Sequence, residues 1–156
     1  MFFDTWVGIT YNTTMEPIQI VLDTNILSAA LRSNLGASFQ LISLIDKGQF
    51  EINLSVALVL EYESVLLRQR HLFGLTQTDI EIFLDYLCKV GHCHDIYFLW
   101  RPYLPDPKDE MVLEVAVRAN CSQIITYNRQ DFRNIDRFGV EALTAQEFLN
   151  SIRRNL

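Results

Sequence analysis

The chain of 156 residues is long enough to bury a core of its own and reads as one domain by size. With 49% apolar and 21% charged residues it has an ordinary globular composition, and no apolar run approaches the ~20 residues that a membrane span needs. A net charge of −6 argues against holding nucleic acid by bulk electrostatics alone.

The amino terminus, "MFFDTWVGIT", is apolar but lacks a basic start and carries Asp4, so it does not read as a secretion signal. Residues 1–15 read as an extension or a mis-assigned start, and residues 16–156 as the domain proper. After Pro17, Ile18–Leu22 is a short apolar run with the character of a buried strand, and it stops at Asp23. Helical patterns follow in "NILSAALRS" and "GASFQLISLIDKG", then a strand, "FEINL". Ser55 is placed to cap a helix through "VALVLEYESVLLRQR". Thr76 and Asp79 have capping-box spacing ahead of "IEIFLDYLCKV", which stops at Gly91. A strand around "HDIYFL" leads through the Pro-rich "RPYLPDPKDE" to a helix, "MVLEVAVRAN". The strand "SQIITY", a short strand in "GVEAL" and a helix "AQEFLNSIRR", opened by Thr144 and Glu147, complete the chain. Strands alternating with helices imply an α/β fold, with a mainly parallel sheet of four to five strands and helices on both faces.

Cys88, Cys93 and Cys121 are odd in number and have no CxxC spacing, which argues against a disulfide scaffold and fits a reducing cytoplasm. "CKVGHCHD" gathers Cys88, His92, Cys93 and His94, but the spacing is poor for zinc. The segment HCH instead alternates as a strand would, with His92 and His94 on one face.

Nineteen residues are acidic, and most sit where solvent accounts for them. Four stand out. Asp23 follows a core strand, at the strand end where open parallel sheets bind ligands; helix N-cap is an equally good reading of it. Glu61 interrupts a helix apolar on nearly every face, where a buried carboxylate is costly without compensation. Asp109 opens a helix, as the dipole favours, but Asp106 and Glu110 crowd the same end. Asp131 lies in "TYNRQDF", three residues after Asn128, where a plain turn is the simpler explanation. Together they suggest a carboxylate rim without local Lys or Arg, which asks for a divalent cation. Hard oxygen donors select magnesium or manganese (Mg2+ or Mn2+) over zinc, and such ions serve phosphodiester chemistry.

"IVLDTNIL", "LEYESVL", "DPKDEMVLEVA" and "IITYNRQDF", in that order, closely resemble the PIN-domain ribonuclease family. More narrowly they are similar to its bacterial toxin branch, related to the VapC-like toxins of toxin–antitoxin pairs. The resemblance covers roughly residues 18 to 150. It implies a PIN-like three-layer α/β/α fold and a metal-dependent ribonuclease leaving a 5′ phosphate and a 3′ hydroxyl. Asp23 and Asp109 would be the main metal ligands; Glu61 and Asp131 would position a second ion or orient the attacking water. Where the commonest pattern has an acid this chain has Asn128, and the acid is displaced to Asp131; Asn128 would offer a neutral oxygen to a metal or its water. The implied partners are an RNA substrate, a cognate antitoxin protein covering the acidic rim, and a second copy of the chain docked through faces such as "FQLISLI". Arg32, Arg68, Arg70, Arg129 and Arg133 are candidates for the RNA backbone, and Trp100 and Tyr103 for base stacking.

Two other readings remain. A phosphatase forming an aspartyl phosphate on Asp23 usually carries a second Asp two residues on, where this chain has Asn25. A catalytically weak PIN-fold RNA-binding or protein-interaction module is favoured by Asn128 in an acidic slot.

Overall fold

The computed structural model describes residues 16–97 and 103–155. The expectation about residues 1–15 lies outside the described residues, as does the stacking role of Trp100. Five strands form a sheet in the order β3-β2-β1-β4-β5: β1 Ile18–Leu22, β2 Phe50–Leu54, β3 His92–Cys93, β4 Gln123–Ile125 and β5 Glu141–Leu143. Every pairing is parallel. β1 is central, and Ile20, Val21 and Leu22 are essentially unexposed, as an uninterrupted apolar run requires of a strand covered on both faces.

Helices α1 Thr24–Arg32 and α2 Ala37–Ser43 connect β1 to β2, and α3 Val56–Phe73 and α4 Gln77–Val90 connect β2 to β3. Helix α5 Pro107–Arg118 packs on β1, β2 and β4. Its connection runs back across the sheet, so right-handed crossovers put it on the face opposite α1–α4. The result is three layers, α/β/α. Helix α6 Ala145–Arg154 packs on α2 and sets Phe148 edge-on to Phe50, with ring centroids 5.2 Å apart. Among the described residues no helix is long and apolar enough to cross a membrane.

Local signals behave as their chemistry dictates. Ser55 Oγ accepts from the Leu58 N–H, and both capping boxes, Thr76–Asp79 and Thr144–Glu147, are formed in both directions. Gly91 ends α4 where a side chain would have no room: a Cβ there would lie 2.9 Å from both Leu54 Cδ1 and the Leu87 carbonyl.

Two expectations need correction. The third strand lies two residues ahead of "HDIYFL", at His92–Cys93, and residues 94–97 form no strand; residues 98 and 99 lie outside the described residues. It is fixed by alternate side chains of β2: Glu51 pairs with His92, and Asn53 Oδ1 lies 2.7 Å from His94 Nε2. Both imidazoles are thereby engaged on one face, and Cys88 and Cys93 are free and exposed. Helix α3 is not buried all round. Leu58, Tyr62 and Leu66 form its inner stripe, whereas Val56 and Leu60 are 65% and 58% exposed.

Candidate active site

Between β1 and β4 the sheet reverses its direction of growth, and the ends of these strands open a crevice, the usual place for a ligand in such sheets. The register sets Leu22 opposite Ile125, so the next residues out, Asp23 and Thr126, become neighbours. The ladder reaches one bond further, from the Asp23 N–H to the Ile125 carbonyl at 2.9 Å. Chain sections about a hundred residues apart are thus joined by backbone before any side chain acts.

Asp23 is only 8% exposed, and it both lines this crevice and caps a helix. It is the N-cap of α1, where Oδ1 accepts from the Thr24 N–H at 2.8 Å. Oδ2 accepts from Thr126 Oγ1 at 2.7 Å and from Asn25 Nδ2 at 3.3 Å. A carboxylate offers about four lone-pair positions, so about one is left for the cleft. Asn25 also accepts from the Tyr127 N–H, and the Asn128 N–H donates to Thr126 Oγ1. Thr126, fully buried, is the hub of this network. Beneath it, the Tyr62 phenol donates to the Leu22 carbonyl; burial raises its pKa well above the ordinary value and keeps it a donor.

The cleft, of about 470 Å³, is lined by Asp23, Glu61, Asp109, Asn128 and Asp131, the five residues singled out from the sequence, and also by Asp106. Asp106 is the N-cap of α5, with Pro107 at the first helical position, and this presents Asp109 one residue short of a full turn later. Burial, followed by the charges of Asp23, Asp106, Asp131 and Glu110, pushes the Asp109 carboxyl up to about 7. Burial likewise raises the pKa of Asp23, and Asp131 and Asp106 add to it against the hydrogen bonds from Thr126 and Thr24. Asp131 stands in a 3-10 turn, Arg129–Phe132, with its N–H on the Asn128 carbonyl.

Glu61 occupies a different wall of the cleft. It enters from α3, and its side chain is 16% exposed with Lys108 Nζ 3.8 Å away. The rim is therefore not devoid of cations: Lys108 and Arg32 both line it. Glu110 also departs from expectation. It turns away to accept the backbone N–H groups of Tyr103 and Leu104. Among the other arginines, Arg129 is tied to Glu147 at 3.0 Å, and Arg68 and Arg70 bond carbonyls of their own helix. Tyr103 is a packing residue, with its hydroxyl on the Asn134 carbonyl and its ring edge-on to Phe138.

Thr126, Asp106 and Lys108 were not singled out from the sequence as site residues. Nor were Ser28 and Gln69, which line the cleft with Oγ and Oε1 buried and unpartnered. One turn apart on α1, Ser28 and Arg32 share a face with Thr24 and Asn25, and that periodicity was the available signal.

Among the described residues no three His, Cys, Asp or Glu side chains are arranged as a set that encloses a metal ion. The donor chemistry nonetheless suits a hydrated one. All the acidic groups are hard oxygens, burial and then their mutual repulsion hold a proton on Asp109 near neutrality, and magnesium is commonly held by one or two carboxylates with waters completing its shell.

A family model described as "PIN domain" matches residues 19–130, which include Asp23, Glu61, Asp109 and Asn128. The chain belongs to the PIN-domain family. Two solved structures are similar in fold. VapBC2 from Rickettsia felis, bound to a DNA fragment from its promoter, is 15% identical with a TM-score of 0.56, over 80% of this chain and 98% of that one. VapBC-1 from nontypeable Haemophilus influenzae is 15% identical with a TM-score of 0.53, over 83% of this chain and 99% of that one. No curated protein sequence matches the chain.

Proposed function

We propose that this PIN domain is a divalent-metal-dependent ribonuclease and the toxin component of a toxin–antitoxin pair, acting in the cytoplasm. The observation that carries the reading is the convergence of Asp23, Asp106, Asp109 and Asp131 on one cleft, where burial raises the Asp109 carboxyl to about 7 and the neighbouring acids add to the shift. Such mutual repulsion is relieved by a cation, and active sites are where perturbed carboxylates cluster. Family membership and the likeness to VapBC structures support the rest.

When bound, magnesium or manganese would activate water and offset charge on the phosphodiester as the 3′ oxygen departs. The residues that would hold it are Asp23 and Asp109, with Asp131 and the Asn128 side-chain oxygen beside them. Thr126 and the Thr24 N–H fix the Asp23 carboxylate, so that its remaining lone pair faces the cleft. Asp109 must lose its proton to act as a ligand, so the proton and the metal compete for it near neutral pH. Glu61, on the other wall, is placed to orient a water, and Lys108 and Arg32 to contact phosphate. The antitoxin proposed would cover the acidic rim with an Arg or an apolar segment. A homodimer belongs to the same reading, with Phe39 on α2 and Val56 and Leu60 on α3 as exposed apolar side chains for it; light scattering measures it directly.

The test compares wild type with Asp23→Asn on structured and single-stranded RNAs, each with magnesium, manganese or EDTA, followed by end-group analysis. Metal-dependent cleavage leaving 5′ phosphates, lost in the variant, is the expected outcome. Binding without cleavage under every ion would sink it and favour an RNA-binding module, with Asn128 as the residue to blame.

A further inference from the structure

Tyr127 is the large aromatic that the cleft leaves uncovered. It lines the cleft and is 43% exposed, although a tyrosine of this kind is usually packed. It is also held at two ends. Its N–H donates to Asn25 Oδ1 at 3.2 Å, and its phenol oxygen shares a 2.6 Å hydrogen bond with Ser38 Oγ at the start of α2. Ser38 is 1% exposed, and the residues flanking Tyr127 are themselves bonded to the Asp23 network. A tether between β4 and α2 needs only the phenol oxygen. It gives no reason to leave a residue of this size 43% exposed beside the carboxylates.

We propose that Tyr127 is a nucleobase platform: an unpaired base next to the scissile phosphate stacks on its ring, and Ser38 is the positioning residue that sets the ring's angle. This rests on the nucleic-acid reading above and adds a substrate class to it. Bases in a duplex are already stacked on both faces, so a side-chain platform selects a single-stranded or splayed-out nucleotide. Every base has a π-face, so the platform tolerates any sequence while demanding that a base be present. Pinning the ring beforehand lowers the ordering cost of binding.

The test is an abasic scan. A labelled single-stranded RNA carrying one abasic position, moved stepwise along the strand, is titrated by fluorescence anisotropy with calcium replacing magnesium, so that binding is read apart from cleavage. Wild type should lose roughly 10-fold in affinity at one position, in line with the worth of a stacked base. Tyr127→Leu should bind the intact strand roughly 10-fold more weakly and be indifferent to the abasic position. Tyr127→Phe should keep the position-specific loss and, like Ser38→Ala, which cuts the same hydrogen bond, should raise KM with kcat unchanged. A flat scan in wild type, which needs no variant, overturns the inference; so do Phe and Leu variants that fold by circular dichroism yet are equally impaired, since a bare tether predicts that. Cleavage with magnesium but a flat scan removes the platform alone. A position-specific scan without cleavage upholds the platform and removes only the nuclease.

Discussion

The two walls of the cleft are built on opposite principles. On the β1–β4 wall, Asp23, Asn25 and Thr126 are backbone-registered, buried or half-buried, and joined to one another by hydrogen bonds. On the α5 wall, Asp106 caps the helix and Asp109 stands in its first turn, with Asp131 nearby; burial raises the Asp109 carboxyl and the neighbouring acids repel it further. One wall is complete as folded, and the other waits for a counter-charge. An ion entering such a cleft would find one ligand already oriented and the rest of the site gaining from its arrival. That division makes ordering and affinity separable properties of the same site.

The strongest way to break the first wall is at Asp23. Asp23→Asn should retain helix capping and lose more than ~100-fold in cleavage, beyond what a supporting residue of a metal site costs. Asp23→Ala should lose the cap as well, about 1 kcal/mol in urea unfolding. Thr126→Val tests the hub: it leaves the Asp23 carboxylate and the Asn128 N–H short of a partner, for a loss of about 1–3 kcal/mol in urea and a weaker response to magnesium. On the second wall the contrast appears as a pH dependence. Asp109 holds its proton more tightly folded than unfolded, since its pKa is raised from 3.8 to about 7. Its contribution to stability is therefore complete below about pH 4 and is lost as pH rises through about 7. In EDTA the Tm should fall across that window. Asp109→Asn should flatten the profile, and saturating magnesium should reverse the trend at its alkaline end. The smallest effect belongs to Lys108→Ala. Its pairing with Glu61 at 3.8 Å is exposed on the Lys side, so stability should change by less than ~0.5 kcal/mol.

The same division explains how much could be read from the sequence. Caps, capping boxes and the stop at Gly91 depend on residues a few positions apart, and they stand where the sequence placed them. Asp23, Glu61, Asp109, Asn128 and Asp131 do reach one cleft, because four of them follow or open an element whose pattern was clear and Glu61 interrupts a helix whose pattern was equally clear. What escaped depends on pairing at long range. The Thr126 hydroxyl meets Asp23 across 103 residues, a relation visible only once strand order and register are known. Lys108 hides in "PDPKDE" as a helix-start residue, and nothing local reveals that Glu61 lies across from it. Glu110 looked like a rim acid by proximity, but helical rotation turned it to the backbone at Tyr103 and Leu104. β3 was misplaced because the apolar "IYFL" outweighed the alternation in "HCH", whose histidines meet Glu51 and Asn53.

On the proposed function Asp23 has a second duty besides its cap, and this bears on how the sequence can change over generations. A lineage released from selection for cleavage is not free to place any residue there, because α1 still needs an oxygen to begin on. The open routes are Asn, Ser or Thr, each of which ends the chemistry and spares the helix. Silenced descendants of such a domain should therefore keep a small polar residue after the first strand, and an Asn there would mark a retired enzyme more reliably than a damaged fold.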